Sequence, residues 1–287
     1  MRPLRSLLFA PANRPDLLAK FPRYAADAFA IDMEDATPEA EKASARQALP
    51  PIVEQLREQG LESQLFIRTN APRSRHADED LHAALDMPVD GIMMPKLETT
   101  ADLARFSAAL GSAEKRSGRS LQLIGVIETP RGVMNVEALA TAPDSRLTAL
   151  AFGAEDFITG LGGRRTPQSM EVLYARSRVV LAARARGLQA FDQVCVNIRD
   201  DEVFRRDAET GRELGFSGKM CIVPRQIDIA NAVFSPSATE IDSARRLLEA
   251  FDKAQTVGRG VFEFEGNMVD EPVLQRARGI LELAAMH

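Results

Sequence analysis

The run LQLIGVIETPRGV, from Leu121 to Val133, has the apolar, β-branched composition of a strand covered on both faces, yet it stops on a carboxylate, Glu128. Thr129, Pro130, Arg131 and Gly132 then close it as a turn. A second run, LTALAFGAEDF, brings Glu155 and Asp156 to its end. A buried charge is costly unless it is paired or bound to a metal. Two carboxylates on successive strands, completed by waters and substrate oxygens, suit Mg²⁺, which keeps octahedral oxygen coordination and sheds water reluctantly. Glu128 and Asp156 are therefore read as Mg²⁺ ligands. Two alternatives stand beside this reading. One is a salt bridge from Glu128 to Arg68 or Arg131. The other is Glu155 as ligand in place of Asp156, because alternation lets only one of two adjacent strand residues point inward. Arg68 closes QLFIRTN; its planar fork suits a carboxylate or an enolate oxygen, and an ion pair with Glu34 or Asp35 competes for it.

Little else in the chain offers chemistry. Histidine occurs only as His76, His82 and His287, so a histidine base or a His-rich metal site is not expected. Cys195 and Cys221 form no CxxC pair, which argues against thiolate zinc and disulfide scaffolds and for a reducing, cytoplasmic setting. A net charge of −5 argues against a nucleic-acid surface. The longest apolar runs fall short of a membrane span. The opening MRPLRSLLFAPANRP has the arginines of a signal peptide but no adequate apolar core or cleavage site, and Pro11 interrupts it, so it reads as a first strand.

Something must position these residues, and the pattern supplies it. Eight apolar runs read as strands: RSLLFAPA, AFAIDMED, QLFIRTN, GIMMPKL, LIGVIETP, LTALAFGAEDF, LQAFDQVC and SGKMCIVP. Amphipathic segments such as EKASARQALPPIVEQLREQ and SMEVLYARSRVVLAARARG, closed by Gly187, alternate with them. Eight alternations point to an α/β fold of the (β/α)₈ TIM-barrel type, with a doubly wound open sheet as the alternative. In a barrel the strand ends converge on one mouth. The runs end there in Asp32-Glu34-Asp35, Arg68-Asn70, Lys96, Glu128 and Glu155-Asp156, and five such groups together favour a site over five separate helix caps. After the eighth run, Ser237 and Glu240 fit a capping box and open one more helix. The tail has Gly258 and Gly260 near its start, an alternating VFEFE, a Gly266-Asn267 turn and a short terminal helix. It reads as a lid arm, giving a barrel over 1–254 and an arm over 255–287.

The chain resembles the citrate lyase β-subunit-like branch of the HpcH/HpaI aldolase family, which contains the citryl-, malyl- and citramalyl-CoA lyases. RSLLFAPANRP, AIDMEDATPEAEKASAR, FIRTN, GIMMPK, VIETPRGVMN, AFGAEDF, AARARGLQAFDQV, GFSGKMCIVPRQI and GNMVDEP occur in order and carry the resemblance over nearly the whole chain. It implies that Arg68 contacts substrate, that Glu128 and Asp156 hold Mg²⁺, and that Asp270 is an acid on a lid reaching a neighbouring protomer of a homo-oligomer, a trimer. One departure is plain: members commonly read IHP after strand eight, where this chain has Ile222-Val223-Pro224. The implied reaction cleaves a β-hydroxyacyl-CoA into a 2-oxo acid and acetyl-CoA, or runs the reverse condensation. Arg68 would stabilise the thioester enolate and Asp270 would protonate it. Asp270, followed by Glu271-Pro272, is equally a good helix cap. Alternatives are a class II aldolase on free 4-hydroxy-2-oxo acids, a citrate lyase β-subunit acting on an acyl-carrier-protein thioester, and a non-catalytic protein on an inherited barrel. No CoA signature is evident; Arg14 and Lys20 are candidates for phosphate contacts that read equally as solvated surface.

Overall fold

The computed structural model describes residues 3–143, 146–256 and 261–286. Eight parallel strands close in sequence order: β1 (Ser6–Pro11), β2 (Ala28–Asp32), β3 (Gln64–Arg68), β4 (Gly91–Met94), β5 (Gln122–Ile127), β6 (Leu147–Phe152), β7 (Gln189–Asp192) and β8 (Gly218–Cys221). β1 pairs with both β2 and β8, which closes the barrel and excludes the open sheet. Each expected run supplies one strand. Around them lie α1 (Pro15–Leu18), α2 (Lys42–Glu58), α3 (Ala77–Asp86), α4 (Thr100–Ser117), α5 (Pro130–Ala140), α6 (Ala154–Leu161), α7 (Met170–Ala185), α8 (Asp201–Leu214) and α9 (Arg225–Val233). α10 (Ala238–Thr256), the hairpin β9 (Phe262–Phe264) and β10 (Asn267–Val269), and α11 (Glu271–Met286) follow.

Strand parity sorts the side chains. Ala30, Phe66, Ile124, Val126, Phe191 and Met220 belong to one buried cluster that fills the barrel. Because side chains alternate, residues of the other parity face the helix layer. The same count carries the polar strand ends to one side or the other, and the site depends on it.

Two expected strand endings are helix beginnings. β5 stops at Ile127, and Thr129 caps α5, its Oγ1 accepting from the Gly132 N–H at 3.0 Å, with Pro130 as the first helical residue. The anticipated turn is thus the opening of a helix. β6 stops at Phe152, so Glu155 and Asp156 sit in the first turn of α6 and strand alternation does not choose between them.

Pro3–Asn231 forms one compact unit and Ala232 onward another, so the division falls within α9 rather than at 254/255. The second unit has its own core: Leu247 of α10, Val269 of β10, and Leu274 and Ala277 of α11 are buried together, with Phe251 and Phe262 stacked 6.3 Å apart. α10 opens with the expected capping box, Ser237 N–H to Glu240 Oε2 at 2.8 Å and Glu240 N–H to Ser237 Oγ at 3.2 Å. β9 and β10 are joined by Glu265 (φ 50°) and Gly266 (φ 79°), both left-handed, as a two-residue hairpin loop needs. Gly258 and Gly260 lie outside the described residues.

Candidate active site

Counting by twos along three strands assembles the site. Ala28 and Ala30 lead to Asp32, Phe66 leads to Arg68, and Ile124 and Val126 lead to Glu128, so all three polar ends lie on the inner face at the C-terminal mouth. Asp32 and Arg68 are register partners across β2 and β3. Their side chains form a two-pronged pair, Nε–Oδ1 2.8 Å and Nη2–Oδ2 2.5 Å, and Arg68 Nη1 stands 3.5 Å from Glu34 Oε2. The guanidinium also lies 5.2 Å from the centre of the Phe9 ring. Asp32, not anticipated as a partner, is the residue that fixes Arg68; the anticipated pairing with Glu34 is present as the longer contact.

Glu128 is buried and takes neither of the anticipated salt bridges. Its Oε1 accepts from the backbone N–H of Lys96 at 2.8 Å. Lys96 adopts φ 48°, a left-handed turn after β4, while its Nζ reaches Glu34 at 2.6 Å and Asp156 at 3.0 Å. Glu155 is engaged by Arg165 at 3.0 Å, so Asp156 is the carboxylate that shares a cation with the mouth. Gly153 leaves room for all this: a Cβ there would stand 2.5 Å from Glu128 Oε2. Asp32, Arg68, Glu128, Glu155 and Asp156 line a cavity of about 370 Å³, a small-molecule size.

The charge is unbalanced. Asp32, Glu34, Asp35, Glu128 and Asp156 face two cations, Arg68 and Lys96, within this network. Burial pushes the Glu128 carboxyl up to about 8, with the charge of Glu34 adding to it and Arg68 and Lys96 opposing. Burial likewise raises Glu34 to about 7 against the same two cations. Asp32, although buried, is held below its ordinary value by Arg68. Glu34 Oε2 has no hydrogen-bond partner. An excess of negative charge, an orphaned carboxylate oxygen and a lysine bridging two carboxylates are what a hard cation site presents, so the residues fit Mg²⁺. Among the described residues no three His, Cys, Asp or Glu side chains form a metal cage, which leaves most coordination positions to water and substrate.

Other anticipated residues fall elsewhere. Asn70 is a buried hub beneath the mouth, its Oδ1 accepting from Lys42 Nζ and its Nδ2 donating to the Met33 carbonyl and to Asp80. Lys42 also donates to the carbonyls of Met33 and Glu34, so this network holds the segment that carries Glu34. Arg14 pairs with Asp16 at the surface. Ile222, rather than Val223, lines the cavity. Asp270 belongs to the second unit, half-buried just before α11, with its carbonyl accepting from the Val273 and Leu274 N–H groups.

Comparison with known proteins places the chain in a family. Residues 5–224 match the family described as HpcH/HpaI aldolase/citrate lyase. A citrate lyase subunit beta-like protein of Deinococcus radiodurans is 45% identical over 97% of this chain and 96% of its own length. Human mitochondrial citramalyl-CoA lyase is 33% identical over 98% of this chain and 86% of its own length. Among solved structures, CitE of Mycobacterium tuberculosis in complex with magnesium, acetoacetate and coenzyme A superposes with a TM-score of 0.82 at 32% identity, covering 99% of this chain and 98% of that one. No helix among the described residues is long and apolar enough to cross a membrane. The chain belongs to the HpcH/HpaI aldolase/citrate lyase family, and by that membership it is a carbon–carbon lyase.

Proposed function

We propose that the chain is a Mg²⁺-dependent lyase that cleaves a β-hydroxyacyl-CoA into a 2-oxo acid and an acyl-CoA such as acetyl-CoA, or forms it by Claisen-type condensation. The observation that carries the reading is one cavity lined by Glu128, Asp156 and Arg68, with more negative than positive charge at its mouth. Relatives named citramalyl-CoA lyase and citrate lyase subunit beta, and a magnesium, acetoacetate and coenzyme A complex of a similar structure, support it. Glu128 and Asp156 would hold the ion, which when bound supplies Lewis acidity toward the oxygens of the 2-oxo acid.

The chain's own residues do the rest. In cleavage the β-hydroxyl passes its proton to water at the mouth, the bond between the carbinol carbon and the α-carbon breaks as the carbinol carbon becomes the keto carbon of the 2-oxo acid, and the electron pair of the broken bond passes to the thioester as an enolate. Arg68 meets that charge. Asp32 occupies its Nε and Nη2, which fixes the plane of the guanidinium, and Nη1, held only by a 3.5 Å contact to Glu34, is the donor for the developing oxyanion. Lys96 screens Asp156 and Glu34 from each other and from the enolate. Asp270 then delivers a proton to the α-carbon, reaching the site of the neighbouring copy in a homotrimer. The family resemblance supports that exchange of lids. Mixing inactive Glu128→Ala and Asp270→Ala chains under subunit exchange should restore part of the activity; a mixture that stays inactive while mass analysis shows exchange overturns the shared site.

The test of the function is a panel of citryl-, malyl-, β-methylmalyl- and citramalyl-CoA, with and without Mg²⁺. One thioester should be cleaved with the metal and lost on chelation. Turnover indifferent to chelation, or seen only with free 4-hydroxy-2-oxo acids, overturns it.

A further inference from the structure

The cavity is divided around the barrel. Asp32 comes from β2, Arg68 from β3, Glu128 from the end of β5, and Glu155 and Asp156 from the turn after β6. The opposite arc is apolar: Val194 follows β7, Met220 and Ile222 belong to or follow β8, and Phe9 comes from β1, which lies next to β8. Parity explains why. Met220 packs inside the barrel, the next residue, Cys221, faces outward and is buried, and Ile222 turns inward again at the rim, 36% exposed.

A 2-oxo acid whose carboxylate and keto oxygens meet the charged arc turns its remaining substituent toward this apolar arc. Among the described residues no cation lines that arc: Arg68 is the only basic residue of the described lining and is already held by Asp32. Arg165, near Glu155, is tied to Glu155 at 3.0 Å and to Glu171 at 2.6 Å. Lys219 of β8 has outward parity and is bound to Asp192 and Asp207. A second carboxylate on the substrate would therefore lose its water against Ile222 and Val194 without gaining a partner, beside a mouth already rich in negative charge.

Resting on the lyase reading above, we propose that this site selects 2-oxo acids with a short apolar substituent, the pyruvate and 2-oxobutyrate class, over those carrying a second carboxylate, and that Ile222 is the residue that sets the preference. In the cleavage direction the matching thioester carries one free carboxylate and an alkyl group on its carbinol carbon.

The test is calorimetric and needs no turnover: titrate pyruvate, 2-oxobutyrate and freshly dissolved oxaloacetate into the full chain in Mg²⁺ buffer. The two monocarboxylates should bind about tenfold or more tightly than oxaloacetate. In Ile222→Arg, and in Val194→Lys as a second variant should the first fail to fold, a cation placed on the apolar arc should shift that ratio about tenfold or more toward oxaloacetate. Equal or tighter binding of oxaloacetate by the unaltered chain overturns the selectivity and leaves the lyase reading standing. A ratio unmoved in both folded variants removes Ile222 and its wall from the role. Failure of every 2-oxo acid to bind with Mg²⁺ present overturns the lyase reading itself, and this inference with it.

Discussion

Among the described residues, the buried charge at the mouth and a second cluster around β7 and β8 differ by one step of strand parity. At the mouth, Asp32, Arg68 and Glu128 point inward; between the barrel and its helices, Asp192 of β7 and Lys219 of β8 point outward, joined by Arg176 of α7 and Asp207 of α8. The outer cluster is balanced, two cations against two carboxylates. Lys219 Nζ is wholly buried and donates to Asp192 at 2.9 Å, to Asp207 at 2.7 Å and to the Gln193 carbonyl at 2.8 Å. Burial alone would push the Asp207 carboxyl up, but Lys219 and Arg176 hold it below its ordinary value. At the mouth the carboxyls of Glu34 and Glu128 rise instead, and one oxygen, Glu34 Oε2, has no hydrogen-bond partner and only a 3.5 Å contact to Arg68. Burial of charge is therefore no mark of function by itself; an unbalanced remainder facing a cavity is.

The widest gap between the clusters should appear in activity. Glu128→Gln and Asp156→Asn should each lower kcat by about 10³-fold or more and weaken Mg²⁺ binding, while thermal denaturation moves little, because each swaps an anionic ligand for a neutral amide of similar size. Full activity at low Mg²⁺ in either variant would make the mouth as inert as the outer cluster. The converse experiment is Lys219→Met. It strands two carboxylates with one cation and should cost about 3–5 kcal/mol in urea denaturation, with kcat per folded molecule unchanged. A variant that keeps its stability and loses kcat would reverse the assignment.

Smaller effects sharpen the contrast. Arg68→Lys keeps one charge but loses the fork that Asp32 orients, so kcat and kcat/KM should fall together by about 10²-fold; a rise in KM alone would mark a plain carboxylate anchor. The smallest signal is in pH. Glu34 and Glu128, ordinarily near 4.5, hold their protons up to about 7 and about 8 in the fold, so between these values the folded chain binds more protons than the unfolded one. Their contribution is fully present below about pH 4.5 and is lost as pH rises through about 7 and 8, so metal-free Tm should fall across that window by a few degrees. Glu128→Gln should flatten the slope. A Tm that rises steadily over the window in the parent chain would contradict the charge imbalance.

The barrel was legible because strands covered on both faces leave unbroken apolar runs, and eight of them alternate with helical patterns. The strand-end acids were legible for the same reason: in FIRTN or VIETP a charge stands out against its neighbours. Their partners were not. That Asp32 rather than Asp35 clamps Arg68 follows from register, Asp32 opposite Arg68, which only the paired strands reveal. LQAFDQVC and SGKMCIVP hid the outer cluster, because a single Asp or Lys within a short run reads as an interruption until Arg176 and Asp207 arrive from distant helices. Glu155 and Asp156 were set on a strand because AFGAED carries no mark of where extension ends, and Gly153 is a helix cap without a capping side chain. That α10 shares its core with α11 has no mark in the sequence, because the glycines of the tail read as a break between them.

Gly153 has a bearing on how substitutions in this chain combine. Its backbone is ordinary, φ −101° and ψ 107°, so any residue could adopt the conformation, and the constraint is wholly one of volume. The space a methyl group would take at 153 is already filled by the Cβ and Oε2 of Glu128. The two positions, each just past the end of one of two neighbouring strands, are therefore coupled: because the Glu128 Cβ itself lies 2.5 Å from where a Cβ at 153 would stand, trimming Glu128 to alanine does not make room, and a side chain at 153 needs glycine at 128 or a shift of backbone. In a scan of single substitutions Gly153 would score with the proposed metal ligands although it donates no atom to chemistry, and only the pairwise epistasis with position 128 would reveal that what is under selection there is an empty place.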